Sequence, residues 1–455
     1  MGTANEMITV PARLAPAPTR IVAMCVPDLT LYTLLGPMLY AIFGHLHTAS
    51  FQAASELVWA LLCSQSLHPS DLARALPSLR TTQARQALRR VRRVIPRAYL
   101  SSKYLTPLLI RAALSLLPDA EIILVLDSTR CIRWEIFTLG IKIAGRVLPI
   151  AWSIIPYPWP KRQFTPTVLA LVKRTVESWP SDRPVHLLAD RGFPSLKLFR
   201  ELDRLRARIP LGYTIRLRAS DYVLPADGQL VKIAELIGSI TTGTWATWQA
   251  SYHHRRKAGP SALLVIGRGI PIYPAHQMGP ADQARRLARE KRRVDRLLSK
   301  GQKRPSDTDR AWALLSTAAS WSQAKDHYAL RFSTEGTYRD WKSWDLEGVA
   351  GHETAEGPLD GLVGLAALGY FIQAAIGVVA GRAVDDQARA RQQQWSTTDR
   401  LSVFWRGRQV LHDRAHDWRP WLGTTLPDLT RQLAPALSTQ WPPGQQAAPQ
   451  CKEAA

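Results

Sequence analysis

Two short apolar runs constrain this chain more than any other feature. Ile122–Leu126 and Val185–Ala189 contain no polar side chain except His186, and each is followed at once by an aspartate, Asp127 and Asp190. Such runs read as strands buried on both faces, inside a sheet covered by helices. Neighbouring strands lie about 5 Å apart, so carboxylates at equivalent strand ends can face one another. Two close carboxylates repel unless a cation sits between them, and their hard oxygens suit Mg2+ or Mn2+. An aspartate after a strand also serves as an ordinary turn residue or helix cap, so the pair alone does not decide between these roles.

The pattern around the two runs extends the fold. Cys131–Leu139 and Ile141–Ile155 are strand-like, Thr165–Trp179 and Ser195–Leu205 have helical spacing, and Gly212–Leu217 returns to strand. Three strands, a helix, a strand, a helix and a strand is the order of an RNase H-like α/β core, a mixed sheet flanked by helices. Short β-like pieces (Tyr222–Leu224, Thr244–Tyr252, Ala262–Ile266) lead into a segment with ten Lys/Arg and three acids between Ala281 and Arg304. That segment reads either as a solvated arm or as a phosphate-contacting helix. Trp312–Thr317 is a strand-like return, and a long helix is expected over Ser322–Lys342. The boundaries that follow are 1–24, extended or disordered; 25–115, helical; 116–220, the first part of the core; 221–311, a β-rich and basic insertion; 312–350, the closing strand and a long helix; 351–436, helical; and 437–455, a disordered tail.

Charge narrows the partner. The chain has 455 residues with 59 Lys/Arg against 36 Asp/Glu, a net charge of +23, and such an excess points to a polyanion. In the N-terminal region, Thr81 or Thr82 is placed to cap a helix with Leu88, Val91 and Ile95 on one side and Arg85, Arg89, Arg90, Arg92 and Arg93 around the rest, ended by Pro96. A basic helix of this kind suits a DNA groove or backbone, and equally a solvated face over a helical bundle. Cys25, Cys63, Cys131 and Cys451 are far apart in the sequence, which argues against a disulfide framework or zinc-ribbon spacing and fits a reduced cytoplasmic compartment. Leu29–Leu46 is uncharged but interrupted by Gly36-Pro37. Gly361–Ala380 is long enough to span a bilayer, yet it holds Gln373, follows an acidic loop (Glu353, Glu356, Asp360) and reads as a buried core helix, so no membrane partner is expected.

A third element tips the aspartate pair toward chemistry. Tyr328, Arg331, Glu335 and Lys342 are spaced 3, 4 and 7 apart and, on one continuous helix, fall within roughly 60° of arc. A buried salt-bridge stripe is the structural alternative. These residues are the Y-(2)-R-(3)-E-(6)-K pattern, and here the chain resembles a large group of bacterial insertion-sequence DDE transposases. Leu187-Leu188-Ala189-Asp190-Arg191-Gly192-Phe193 resembles the motif around that family's second aspartate, Leu124–Thr129 the motif around its first, and Tyr338–Lys342 the run that follows its glutamate. Asp190 lies 63 positions after Asp127, and Glu335 a further 145 on, leaving room for the family's β-rich insertion. Gly336 and Thr334 depart from the pattern, standing where relatives usually have a better helix former and an apolar residue. Asp340, Asp345 and Glu347 are rival acids that do not complete the tetrad.

The resemblance implies the rest. Asp127, Asp190 and Glu335 would be the catalytic and metal-binding acids, holding two Mg2+ ions, with Mn2+ as a substitute, for in-line phosphoryl transfer. The implied activity is cleavage at element ends and strand transfer into target DNA, by cut-and-paste transposition with a hairpin intermediate as one route. Tyr328, Arg331 and Lys342 would grip phosphates near the cut, and Trp312, at the head of the closing strand, would stack on a flipped-out base. The N-terminal helices, with Arg89, Arg90, Arg92 and Arg93, would bind the terminal inverted repeats of double-stranded DNA, and a homodimer would form the synaptic complex. Trp312 as an ordinary core aromatic, a non-catalytic DNA-binding protein on the same scaffold, and a nuclease without strand transfer are the alternatives.

Overall fold

β1 (Ile122–Cys131), β2 (Trp134–Ile143) and β3 (Arg146–Pro156) form an antiparallel meander at one edge of a mixed sheet. After α6 (Phe164–Glu177) the chain returns as β4 (Val185–Ala189), parallel to β1, and after α7 (Leu196–Leu205) as β5 (Leu211–Arg216), parallel to β4. The order is the one read from the sequence. β6 (Tyr222–Pro225), β7 (Val231–Lys232), a short α8 (Ile233–Ser239), β8 (Trp245–His254) and β9 (Lys257–Gly267) follow. They join the same sheet, because β10 (Trp312–Ser316) is antiparallel to both β5 and β9. Among the described residues ten strands form one sheet in the order β3-β2-β1-β4-β5-β10-β9-β8-β6-β7.

The computed structural model describes residues 29–76, 83–117, 121–180, 182–268, 311–391, 402–412 and 419–438, with positions 288, 292 and 299. The expected cap at Thr81 or Thr82, most of the basic segment, the expected disordered N-terminus and residues 439–455 of the expected disordered tail lie outside these residues, while the first two positions of that tail, 437 and 438, close the last helix.

Among the described residues five α-helices precede the sheet, α1 (Leu29–Phe43), α2 (Thr48–Ser64), α3 (Pro69–Ala75), α4 (Ala84–Val94) and α5 (Ser102–Ser115), with a short 3-10 turn at Ala98–Leu100. After β10 come α9 (Trp321–Leu330), α10 (Ser333–Lys342), α11 (Leu346–His352), α12 (Glu356–Arg391), α13 (Val403–His412) and α14 (Arg419–Ser438). Helices from the two ends of the sequence pack together: α1 and α5 against α14, and α12 against α2, α5 and β3. The apolar stretch of α12 is 89% buried, so the run long enough to cross a membrane is a core element of this fold. Asp360, read as part of an acidic loop, lies in α12 and accepts from Ser102 N–H (3.3 Å) and Trp152 Nε1–H (2.6 Å), tying α5 and β3 to that helix.

Besides Asp360, three further sequence expectations differ from the structure. α1 runs through Pro37 where a break was expected. Proline removes one backbone donor, but Leu35, Met38, Leu39, Ile42 and Phe43 are buried along the helix, and that packing holds its course. β1 continues past Asp127 to Cys131, because β2 still pairs with it after the ladder to β4 stops at Leu126–Ala189. The single helix expected over Ser322–Lys342 is two helices with a tight turn at Arg331-Phe332, where backbone N–H groups bond three residues back: Thr334 N to Arg331 O (3.0 Å) and Glu335 N to Phe332 O (3.2 Å).

α12 and α13 meet at glycines. A Cβ on Gly377 would lie 1.8 Å from Val403 O, and one on Gly407 would lie 1.7 Å from Gln373 O, so neither position tolerates a side chain without moving a helix. Gly407→Ala is therefore expected to destabilise the protein by about 1–3 kcal/mol or more. Gly423, in α14, has open space at its Cβ, and Gly423→Ala is expected to gain up to about 1 kcal/mol of helix propensity. Thermal melts of the two variants beside the parent check both signs.

Candidate active site

The parallel register sets the site. Leu126 pairs with Ala189, so the next residues, Asp127 and Asp190, lie side by side at the C-terminal end of the β1–β4 ladder. Crevices outside the carboxyl ends of parallel strands are where open α/β sheets place their ligands.

Arg331 lies between the two carboxylates. Its Nη1 donates to Asp127 Oδ2 at 2.9 Å and its Nη2 is 3.7 Å from Asp190 Oδ2. The Arg331 side chain is 9% exposed, that of Asp127 16% and that of Asp190 29%. Tyr328, fully buried, donates its hydroxyl to Asp190 Oδ1 at 2.9 Å. Thr334 Oγ1 is 2.9 Å from Asp127 Oδ2 and 2.7 Å from Arg331 O, and Ser128 N–H donates to Asp127 Oδ1 at 2.9 Å.

The two carboxyls are pushed in opposite directions. Burial raises the Asp127 pKa above the ordinary carboxylate value, and Arg331, Ser128 N–H and Thr334 offset only part of the rise. Burial also acts on Asp190, but Arg331, the Arg191 N–H, the Tyr328 hydroxyl and Arg216 outweigh it and hold that carboxyl below its usual value. Two part-buried acids share one guanidinium, and among the described residues Arg331 Nε has no hydrogen-bond partner. The oxygen donors of the pair suit a hard divalent cation, which would add to the positive charge that Arg331, with Arg216 near Asp190, provides here.

The strand-to-helix supports are specific. α10 is fixed to β3 by Thr337, which accepts from Val147 N–H (3.0 Å) and whose hydroxyl donates to Val147 O (2.8 Å), and to β2 by Tyr338, whose hydroxyl is 2.5 Å from Thr138 Oγ1, opposite Asp127. Asp340 is spent on the fold: it is 1% exposed and bonded by Arg146 Nε (2.9 Å), Tyr370 OH (3.1 Å) and Trp405 Nε1 (3.0 Å). Gly336 leaves room for that arrangement, since a Cβ there would lie 2.9 Å from the Arg146 guanidinium.

The predicted site residues separate into groups. Asp127, Asp190, Tyr328 and Arg331 come together. Glu335 is exposed in the first turn of α10, one residue from Thr334, and its carboxylate makes no hydrogen bond or ion pair among the described residues. Lys342 pairs with Glu347 at 3.2 Å instead of joining the stripe. The turn at Arg331-Phe332 is the reason: it shifts the angular phase of α10 relative to α9. Trp312 is 3% exposed and packs edge-on against Tyr328, with ring centroids 4.8 Å apart, and beneath the Arg216 guanidinium. Its face is covered here, and stacking on a base requires that it be uncovered. Arg89, Arg92 and Arg93 are exposed on α4, while Arg90 pairs with buried Glu56 at 3.0 Å. Thr334 and Arg216 are site residues that sequence reasoning missed. Thr334 had one signal, a hydroxyl where the resemblance leads one to expect an apolar residue.

Two outcomes test this geometry. The raised Asp127 pKa means that, as pH rises, the unfolded chain ionises at this position before the folded one, so the wild type carries a penalty at neutral pH that vanishes in acid. In EDTA, Asp127→Asn is expected to melt higher than the parent at pH 7, with the gap closing as pH falls below about 4. Trp312→Ala is expected to lose about 3–5 kcal/mol, and an unchanged unfolding midpoint would contradict its place in the core. Comparison of the chain with protein-family models, characterised proteins and solved structures gives no match in any of the three, so its function is read from its own residues.

Proposed function

We propose that this chain is a DDE transposase with an RNase H-like core, cutting element ends and transferring the freed strand into target DNA. One observation carries the reading. The two aspartates that the motif predicts stand side by side, and the Tyr and Arg of the same motif, 138 and 204 positions away in sequence, close on them. A fold-stabilising ion pair has no need of a second buried carboxylate beside the first.

Asp127 and Asp190, joined by Glu335 from the first turn of α10, would hold the Mg2+ ions. Bound there, these ions activate the attacking oxygen and stabilise the leaving 3′ oxygen of a phosphodiester. Tyr328 and Thr334 fix the carboxylate rotamers through one oxygen each, Asp190 Oδ1 and Asp127 Oδ2. Arg331, relieved of the carboxylates by the metal charge, is placed to pair with the scissile phosphate. The pocket beside Asp190 is lined by Arg191, Arg216 and Arg218, and Arg218 bonds the carbonyls of Arg191 (2.6 Å) and Gly192 (3.0 Å), shaping the loop that follows Asp190. These arginines and the exposed Arg89, Arg92 and Arg93 supply the sequence-independent part of DNA affinity. Pairing of two subunits on two ends, and action in the cytoplasm, belong to the same proposal.

The test uses full-length protein, duplexes carrying the element ends with flanking DNA, and Mg2+, read on a denaturing gel. We expect a nick leaving a 3′ hydroxyl, followed by strand-transfer product. Asp127→Asn, Asp190→Asn and Glu335→Gln should each lower cleavage at least about a hundredfold while end binding changes little. Glu347→Gln should cleave normally. Cleavage that survives Glu335→Gln and fails in Glu347→Gln would move the third acid, and binding without cleavage under any divalent ion would identify a non-catalytic DNA-binding protein.

A further inference from the structure

A second cluster lies at the opposite end of the β1–β4 ladder. Glu121 directly precedes β1, His186 is in register with Ile123 and Gly212 on the flanking strands, and His327 is on α9, one residue before Tyr328. His327 Nε2 is 3.1 Å from Glu121 Oε2, and His186 Nδ1 is 3.6 Å from Glu121 Oε1. The two imidazole centroids are 4.1 Å apart, and the three donor atoms all lie within 4.8 Å of one another.

His327 is at hydrogen-bond distance from Glu121, and the spacings to Glu121 also suit donors that share one metal ion. Donors about 2.0–2.1 Å from a tetrahedral ion sit roughly 3.4 Å from each other, between the two distances to Glu121. The His186 Nδ1 separation is too long for a hydrogen bond, so a side chain only 3% exposed directs a nitrogen at the cluster without bonding into it. The other nitrogen, Nε2, is 2.8 Å from Thr214 Oγ1, itself 2.7 Å from Ser316 Oγ, the outer support that orients a ligating imidazole. Gly212 makes the space: a Cβ there would lie 2.7 Å from His186 Nδ1. Burial, with His327 nearby, lowers the His186 pKa to about 3, so the ring is neutral and offers a lone pair at physiological pH. Nδ1 of His327 has no hydrogen-bond partner among the described residues.

We propose that Glu121, His186 and His327 bind one zinc-class transition ion, with the fourth position open to water through the partly exposed Glu121. Two imidazoles and one carboxylate select Zn2+ or Co2+ over Mg2+, which distinguishes this site from the all-oxygen aspartate pair. The ion would pin α9 to the sheet at the residue adjoining Tyr328 and so hold the Tyr328–Asp190 contact in place. This inference stands on the cluster alone and holds whether or not the chain cuts DNA.

The experiment is a Zn2+ titration of full-length, EDTA-stripped protein against a chromophoric chelator, in excess Mg2+ to occupy the aspartates, with Co2+ absorption as a second readout. We expect one ion per chain, a tetrahedral cobalt spectrum and a higher melting temperature on Zn2+ addition. Glu121→Gln and His327→Gln, each checked for native far-UV circular dichroism, should weaken binding at least about tenfold and abolish the melting shift. Asp127→Asn should leave both unchanged. Failure of the parent to bind, equal binding by the folded Glu121→Gln variant, or loss of binding in Asp127→Asn would each overturn the proposal.

Discussion

The site depends on one parallel register. Because Leu126 stands opposite Ala189, the backbone delivers Asp127 and Asp190 to adjacent positions, and no side-chain movement within the sheet separates them. Two carboxylates so placed and so buried cannot both be ionised without a cation, and in this structure the cation is the Arg331 guanidinium. The opposite pKa shifts of the two acids follow, since Asp190 collects more donors than Asp127 does. An arrangement of this kind raises the cost of ionising Asp127, as its raised pKa records.

The helices after β10 are arranged around that requirement. α9 brings Tyr328 to Asp190, and the turn after it brings Arg331 to both acids. α10 then leaves at a different phase, anchored by Thr337 on β3 and by Asp340 among Arg146, Tyr370 and Trp405. Asp340, 1% exposed, therefore stabilises the junction of sheet and C-terminal helices, while the Glu335 carboxylate is exposed in the first turn of α10. The Glu121, His186 and His327 cluster grips α9 from its other side, so the helix is held to β1 and β4 at both ends of their ladder.

Much of this was legible because local pattern and global packing agree. The runs before Asp127 and Asp190 are apolar because helices cover both faces of the sheet, and a buried strand announces itself in that way. Where long-range contacts decided the outcome, the sequence was silent. Helical spacing across Ser322–Lys342 is continuous, and only the pull of Asp127 on Arg331 and Thr334 breaks it, which removes Lys342 from the stripe and gives it to Glu347. Pro37 reads as a break until the burial of Leu35, Met38 and Leu39 is known. Gly336 and Thr334 read as departures from a motif, yet one makes room for Arg146 and the other bonds Asp127. His186 and Glu121 gave no signal, for they are 65 residues apart and meet only through the parallel pairing.

The central claim is that the Asp127–Asp190 pair is a divalent-cation site temporarily closed by Arg331. Crystals of the full-length protein grown with Mn2+, measured at the manganese absorption edge, address it most directly. The account predicts an anomalous peak within coordinating distance of both carboxylates, with the Arg331 guanidinium displaced from Asp127. An undisturbed Arg331 bridge, with no peak at the pair under saturating Mn2+, would contradict it.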